Sequence, residues 1–112
     1  FKTLATKGKT GQYYVYVLPV AEELDMKKCA KAVGEKSVEM LHVKDINKVT
    51  GYIRGGTTSI GMKKEYPTII HESAENLPMM IISGGKLGIQ LRLAPKDLCE
   101  VVNGKFMDII KL

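Results

Sequence analysis

Short apolar runs with the two-residue spacing of strands occupy much of the chain and are separated by turn-forming residues. Period-two alternation, β-branched or aromatic residues and flanking glycine or proline are typical of strands. On these grounds strands are predicted at residues 1–5, 12–18, 37–40, 67–71, 79–82 and 89–93. The run 12–18 is apolar on both faces, which is typical of a strand covered on both sides. Turns are predicted at residues 7–11 and 73–76.

Two stretches have the spacing of an amphipathic helix. Asp25 is a favourable N-cap, and Gly34 provides a C-terminal stop. Between them, apolar residues recur at i, i+3, i+4 and i+7 and define one helix face: Met26, Cys29, Ala30 and Val33. Pro95 suits the first position of a second helix, which Gly104 ends. The predicted inner face of that helix consists of Leu98, Val101 and Val102.

A further helical turn or two is predicted at residues 44–49, where Val43, Ile46 and Val49 share one side and Gly51 ends the segment. Residues 55–61 are predicted to be a loop, and residues 106–110 close the chain. Strands and helices follow one another without strict strand–helix–strand alternation. This order predicts an α+β fold around a mixed sheet.

The length of 112 residues suits one compact domain and leaves no room for two. Hydrophobic residues make up 45% and charged residues 26%, which excludes a disordered chain. The longest apolar run, residues 77–82, is far short of the ~18 residues that a membrane span needs. We find no secretion leader and expect no membrane partner. The chain begins with Phe1, so we expect an upstream portion that this sequence does not include.

Seventeen Lys and Arg against twelve Asp and Glu give a formal charge of +5. This excess is in the direction expected for a protein that binds a polyanion. From charge alone, however, ordinary solvent-exposed lysines are the more favoured interpretation. Cys29 and Cys99 are far apart and form no Cys-x-x-Cys pair, which argues against a disulfide framework and a structural zinc site. Both cysteines are on apolar stripes and are predicted to be buried, inert thiols in a reducing cytoplasm.

Three familiar catalytic signatures fail at defining positions. Gly85-Lys86 lacks both the leading glycine and the following Ser or Thr of a phosphate-binding P-loop. His71-Glu72 lacks the second histidine of a zinc-protease helix. Ser83-Gly84 lacks the first glycine of a nucleophile elbow. Since the chain has two histidines, His42 and His71, a catalytic pair would need one of them, and each is interpreted as a surface or hydrogen-bonded side chain.

Two glycine-rich segments, residues 55–61 and 83–88, are the remaining candidates for a site. Glycine lets backbone N–H groups approach a ligand, and consecutive N–H groups bind negative charge. Glycine also serves in tight turns that need positive φ. From the residues alone, a ligand-binding role and a purely structural role for these two segments are about equally favoured.

The combination of motifs resembles the YbaK/EbsC family, bacterial aminoacyl-tRNA deacylases related to the editing domain inserted in prolyl-tRNA synthetase. The residues that carry the resemblance are Phe1-Lys2-Thr3-Leu4, Thr50-Gly51-Tyr52 followed by Gly55-Gly56 and Gly61, Ser83-Gly84-Gly85-Lys86, and Leu93-Ala94-Pro95 with Asp97-Leu98. The resemblance implies a mixed, strongly curved sheet wrapped by helices. Family members usually have some tens of residues before the Phe-Lys-Thr segment.

The implied activity is hydrolysis of the ester that joins a wrong amino acid to the 3′ end of a tRNA, most commonly cysteine on prolyl-tRNA. Some relatives act on cysteinyl-tRNA or remove alanine. The resemblance implies no metal or organic cofactor. The cysteine usage favours a cytoplasmic protein, and action alone or beside prolyl-tRNA synthetase as a partner both stay open. In cysteine-specific relatives the substrate thiol is thought to attack its own carbonyl carbon and form a thiolactone, which would require no protein nucleophile.

The expected site combines a lysine from a family motif with the two glycine-rich loops. Lys2 matches the essential lysine and is expected to hold the ester or the terminal ribose-phosphate as a positive charge. Backbone groups of four residues are expected to stabilise the oxyanion: Gly55, Gly56, Ser83 and Gly84. Thr57, Gly61 and Gly85 of the two loops are expected to contact the substrate. Four cations flank these loops and are expected to meet phosphates near the tRNA end, although a solvated surface position is nearly as favoured for any one of them: Arg54, Lys63, Lys64 and Lys86. Ser59 replaces the usual proline of the first loop, which bears on amino-acid preference.

Two alternatives stay open. One is a tRNA- or synthetase-binding module with weak or no catalysis, for which binding would depend steeply on salt. The other is a small-molecule ester or thioester hydrolase, which would act on simple esters without a tRNA.

Overall fold

The computed structural model describes residues 1–41, 45, 66–84 and 88–112 of the chain. Within these ranges the strands are β1 (Lys2–Gly8), β2 (Tyr13–Leu18), β3 (Val38–Met40), β4 (Thr68–His71), β5 (Met80–Ser83), β6 (Gln90–Leu93) and β7 (Lys105–Met107). The helices are α1 (Met26–Val33) and α2 (Pro95–Val101), with a 3-10 turn at Glu72–Ala74. The predicted helix at 44–49 and loop at 55–61 are outside the described residues, apart from residue 45, which is helical. Neither α1 nor α2 is long and apolar enough to cross a membrane.

The main sheet has the strand order β3-β1-β2-β4-β7 and is mixed. Strand β1 is antiparallel to both β2 and β3, whereas β2, β4 and β7 are parallel. Strands β5 and β6 form a separate antiparallel hairpin. Strands and helices combined in this way confirm the predicted α+β class with a mixed sheet.

The main sheet separates two hydrophobic clusters. The α1-side core contains Tyr14, Tyr16, Leu18, Leu24, Cys29, Ala30, Val38, Ile69 and Ile109. The hairpin-side core contains Val17, Ile70, Ala74, Met80, Ile82 and Leu98. Because β2 contributes to both cores and is buried from Tyr14 to Leu18, the prediction of a strand covered on both sides is confirmed.

Helix α1 has the predicted cap, face and stop. One carboxylate oxygen of Asp25 accepts hydrogen bonds from the backbone N–H groups of Lys27 and Lys28, at 2.9 and 3.1 Å. Gly34 adopts a left-handed conformation with φ of 75°. The buried residues of the helix are Cys29 and Ala30, and the flanking residues Met26 and Val33 pack against the same core.

The β1–β2 hairpin extends further than predicted, since β1 continues to Gly8. Glu35, just after α1, anchors the turn because its carboxylate accepts hydrogen bonds from the Thr10 hydroxyl at 2.5 Å and the Tyr14 hydroxyl at 2.6 Å. These hydrogen bonds, first from Thr10 and then from Tyr14, lower the pKa of Glu35. A Cβ at Gly8 would meet the outer atoms of the Glu35 side chain, so a larger residue there would displace this carboxylate from the turn.

Two predictions about α2 were wrong. Val101 is 62% exposed, because at roughly 100° per residue it lies off the face formed by Pro95, Leu98 and Val102. Gly104 does not provide the left-handed stop; Asn103, with φ of 50°, adopts that conformation. A glycine suits position 104 for another reason: a Cβ there would be 3.1 Å from the carbonyl oxygen of Thr68 on the neighbouring strand.

Candidate functional site

Lys2 is on the α1 side of the main sheet. Side chains alternate along a strand, and Lys2 has the same parity as Leu4, which packs against the α1-side core. Its register partner on β2 is Leu18, a fully buried member of that core. Lys2 is partly buried and makes no ion pair with any described residue. A partly buried ammonium group that makes no close ion pair with a described residue is suited to binding an anionic or strongly polarised ligand group.

An open groove of about 450 Å³ adjoins Lys2. We call it the Lys2 groove, and its lining residues are Lys2, Leu4, Glu23, Leu24, Met26, Val38, Glu39, Met40 and Lys111. Its floor is apolar, and its walls come from β1, the end of β3, the start of α1 and the segment around the bridge between Leu24 and Ile110. The groove is formed by segments that are far apart in the sequence, so no local sequence pattern predicts it. The one sequence signal is the spacing of Lys2 and Leu4, which places both side chains on the same face of β1.

The start of β1 lies beside strand β5. The backbone nitrogen of Phe1 donates to the carbonyl oxygen of Ile81 at 2.8 Å, and the Phe1 side chain packs against the hairpin-side core with Ile82. By alternation, Lys2 and Ser83 both project to the side opposite that core. Two residues of the predicted site, Lys2 and Ser83, therefore belong to neighbouring segments, although they are in different sheets and Ser83 does not line the Lys2 groove.

Gly84 does not offer the free N–H group that an oxyanion donor requires. Its N–H donates to the carbonyl oxygen of Ile89 at 2.7 Å, which closes the β5–β6 hairpin. A Cβ at Gly84 would lie 2.6 Å from the Cγ2 atom of Ile89. The expected donor role of Gly84 is therefore corrected: the glycine allows close approach of the two hairpin strands. Gly88, with φ of 78°, supplies the left-handed conformation of the turn.

The remaining predicted site residues lie outside the described part of the chain. These are Arg54, Gly55, Gly56, Thr57, Gly61, Lys63, Lys64, Gly85 and Lys86, together with Ser59. Their expected roles stay predictions.

Thr3, the third residue of the Phe-Lys-Thr segment, has a buried hydroxyl that lacks a hydrogen-bond partner among the described residues. The residue is 8% exposed and pairs in register with Val17 of the hairpin-side core. An unpaired buried hydroxyl costs about 1–3 kcal/mol. Its place on the opposite face from Lys2 separates it from the Lys2 groove.

The two cysteines differ in burial, and only Cys29 is shielded from solvent. Cys29 is fully buried, and this burial raises the pKa of its thiol to about 12. The Cys99 thiol is partly buried and donates to the carbonyl oxygen of Gly104 at 3.2 Å. The prediction of inert thiols on apolar stripes is confirmed for Cys29, and Cys99 packs against the hairpin-side core.

His71 is buried and hydrogen-bonded, as predicted. Its Nδ1 atom lies 2.8 Å from the Ser73 hydroxyl and accepts the Ser73 backbone N–H at 3.2 Å, so the ring proton is on Nε2. Nε2 faces Asp108 at 3.5 Å, and Asp108 also pairs with Lys28 at 2.8 Å. Ligand atoms of His71, Glu72 and Asp108 lie within 4.8 Å of one another, but both ring nitrogens and the Asp108 carboxylate already have protein partners.

Comparison with known proteins identifies the class of protein to which this chain belongs. Residues 1–101 match the family model of the aminoacyl-tRNA editing domain. The chain therefore belongs to the aminoacyl-tRNA editing domain family.

Individual proteins resemble this chain in sequence or in fold. The chain is 50% identical over 109 residues to an Enterococcus faecalis protein named "Putative Cys-tRNA(Pro)/Cys-tRNA(Cys) deacylase EbsC", covering 97% of this chain and 66% of that protein. A crystal structure of "a putative trans-editing enzyme for prolyl tRNA synthetase" superposes with a TM-score of 0.88 at 23% identity, over 99% of this chain and 69% of the other. A scaffold from work on epitope backbone grafting gives 0.90 at 25% identity, over 99% and 70%.

Proposed function

We propose that this protein is a trans-editing aminoacyl-tRNA deacylase and that its principal substrate is Cys-tRNA(Pro). The observation that carries the proposal is the match of residues 1–101 to the editing domain family, reinforced by 50% identity to a protein named as a Cys-tRNA deacylase. We further propose that it acts in the cytoplasm, in support of translation fidelity, and that prolyl-tRNA synthetase supplies the mischarged substrate.

Lys2 is proposed to hold the reacting end of the substrate. An aminoacyl ester is already activated, so the enzyme mainly has to position the carbonyl and stabilise the charge that develops on its oxygen. An ammonium group that makes no ion pair with a described residue can direct its charge to that oxygen or to the ribose-phosphate. The partly buried position of Lys2 supports this role, because a lower local dielectric strengthens the interaction.

The proposed chemistry for a cysteinyl substrate uses the substrate's own thiol. The sulfur attacks the ester carbonyl carbon, the bond from that carbon to the ribose oxygen breaks, and the ribose hydroxyl takes the thiol proton. The products are a cysteine thiolactone, which water then opens, and free tRNA. Neither cysteine of the protein takes part, in keeping with the burial and raised pKa of Cys29.

The test is to incubate the protein with prolyl-tRNA carrying cysteine, alanine or proline and to follow ester loss. We expect cysteine to be removed fastest and proline to be retained. Ester loss at the uncatalysed rate for all three, with tRNA still bound, would replace the proposal by a binding module. Equal turnover of cysteine methyl ester without tRNA would replace it by a small-molecule esterase.

A further inference from the structure

The segment that follows β7 lies beside the Lys2 groove. We call this segment, residues 108–111, the strap. The Asp25 N–H donates to the carbonyl oxygen of Ile109 at 2.8 Å. The Lys111 N–H donates to the carbonyl oxygen of Glu23 at 2.9 Å, and both of these residues line the groove. The strap is therefore part of the structure that forms the groove wall.

Few contacts hold the two ends of the strap. The side chain of Ile109 is fully buried in the α1-side core and fixes the middle. The ion pair between Lys111 and Glu23 is 3.5 Å long and well exposed, so it contributes little. The strap also lies outside residues 1–101, the part of the chain that matches the editing domain family, so the match assigns it no role. Its remaining side-chain contacts therefore decide how firmly the groove wall is held.

Lys28 of α1 binds the strap at two points. Its ammonium group donates to Oδ2 of Asp108 at 2.8 Å and to the carbonyl oxygen of Ile110 at 2.9 Å. The Lys28 side chain is only 28% exposed, and hydrogen bonds with a charged partner are roughly twice as strong as neutral ones. The hydrogen bond from Lys28, more than any other contact, lowers the pKa of Asp108. One lysine thus ties both ends of the strap to the first turn of α1.

Asp108 is held from a second side by the end of β4. The Nε2 atom of His71 lies 3.5 Å from Oδ1 of Asp108, whereas Oδ2 pairs with Lys28. His71 is buried, and the backbone N–H of Ser73 donates to its Nδ1 atom at 3.2 Å, which fixes the ring. The Asp108 carboxylate therefore joins α1, the main sheet and the strap at one point.

We propose that Lys28 is a positioning residue: by holding the strap against α1, it fixes the wall of the Lys2 groove and thereby sets the affinity for the aminoacylated end of the tRNA. Lys28 is not among the residues that line the groove, so it acts through the strap. A wall that is fixed before binding spares the complex the entropy cost of ordering it. This inference rests on the proposed function and extends it to a residue that the substrate does not touch.

The structural test is hydrogen exchange in the full chain at the Asp25 and Lys111 amides, which bond the strap to the residues before α1. We expect Lys28→Gln to accelerate exchange at both amides about tenfold or more, because the strap then opens more easily. Lys27→Gln is the matched control, since Lys27 is the exposed neighbour on α1 and makes no ion pair with a described residue. Unchanged exchange in Lys28→Gln, or equal acceleration in Lys27→Gln, would overturn the inference. Equal acceleration at the Gly84 N–H, which closes the separate β5–β6 hairpin, would do the same.

Turnover tests whether the strap affects the substrate. We expect Lys28→Gln to raise the KM for Cys-tRNA(Pro) about tenfold, equivalent to about 1.4 kcal/mol, with little change in kcat because Lys2 stays in place. We expect Lys28→Arg to restore most of the lost affinity, since the guanidinium group keeps the charge and offers several donors. Lys27→Gln should leave both constants unchanged. An unchanged KM in Lys28→Gln, or equal effects of the two Gln variants, would contradict the positioning role.

Failure of the proposed function has a different result. If the wild-type protein binds Cys-tRNA(Pro) without removing cysteine, its Kd takes the place of KM. Binding about tenfold weaker in Lys28→Gln would then support the positioning role while removing the enzymatic activity. Deacylation with the same KM in wild type and Lys28→Gln would overturn only the role of Lys28.

Discussion

Strand β2 is buried at five of its six residues, whereas strand β6 is buried at none of its four. Strand β2 is inside the five-stranded sheet and contributes to both hydrophobic cores. Strand β6 pairs with β5 alone among the described strands, and Leu91 of β6 and the adjacent Ile89 are 42% and 48% exposed. The comparison separates a framework that fixes the position of Lys2 from the outer strand of a hairpin, since β5 contributes Met80 and Ile82 to the hairpin-side core whereas β6 contributes no buried residue.

The sharpest contrast comes from the same substitution in both regions. Leu18→Ala removes a fully buried side chain from the α1-side core and is expected to lower the free energy of unfolding by about 2–5 kcal/mol. Leu91→Ala, at a position that is 42% exposed, is expected to cost less than about 1 kcal/mol. Urea unfolding of both variants measures the difference. Similar losses would mean that the hairpin is as tightly packed as the framework.

A smaller effect is expected at the glycine that closes the hairpin. Gly84→Ala places a methyl group against the Ile89 side chain and 3.2 Å from its carbonyl oxygen, so we expect a loss of about 1–3 kcal/mol. Adding Ile89→Ala relieves the closest contact and should recover part of that loss in a double-mutant cycle. Strict additivity of the two changes would show that the hairpin strands do not approach as closely as the structure has them.

The smallest expected effect is on the pH dependence of the free energy of unfolding, through Glu35 beside the β1–β2 turn. Because hydrogen bonds from Thr10 and Tyr14 lower the pKa of Glu35 in the folded protein, its contribution to stability is present above its ordinary pKa of 4.5. That contribution is lost as the pH falls below 4.5 through the lower pKa of the folded state. We expect Glu35→Gln to flatten this part of the stability curve, measured by thermal unfolding between about pH 5 and 3. The same flattening in Glu75→Gln, an exposed control, would rule out a specific effect of the Thr10 and Tyr14 hydrogen bonds.

The sequence predicts best the elements whose signals are local. Helix α1 was recognisable because its cap, apolar spacing and glycine stop are all within residues 25–34, and β2 because its two-sided apolar pattern reflects its place between two cores. The end of α2 was mispredicted because Asn103 takes the left-handed conformation and Gly104 is required by a neighbouring strand instead. That requirement depends on the pairing of β4 and β7, which no local pattern contains.

The candidate site was predictable only in part. Lys2 came from a family resemblance, since as an isolated residue it has no distinguishing pattern. The engagement of the Gly84 N–H by Ile89 could not be foreseen because it depends on the register of β5 and β6. The Lys2 groove was missed for the same kind of reason, as Met26 and Met40 meet Lys2 only through the packing of α1 and β3 against β1.

The most direct test of the role of Lys2 compares two lysines of the same strand in Cys-tRNA(Pro) deacylation. Lys2 lines the groove, whereas Lys7 is exposed and its ammonium group lies 6.0 Å from the centre of the Tyr13 ring. We expect Lys2→Ala to lower kcat/KM by about 100-fold or more, as loss of a group that stabilises an oxyanion does, with unchanged stability. We expect Lys7→Ala to retain nearly full activity. Wild-type activity in Lys2→Ala, or equal losses in both variants, would contradict the assignment of Lys2 to the reacting end of the substrate.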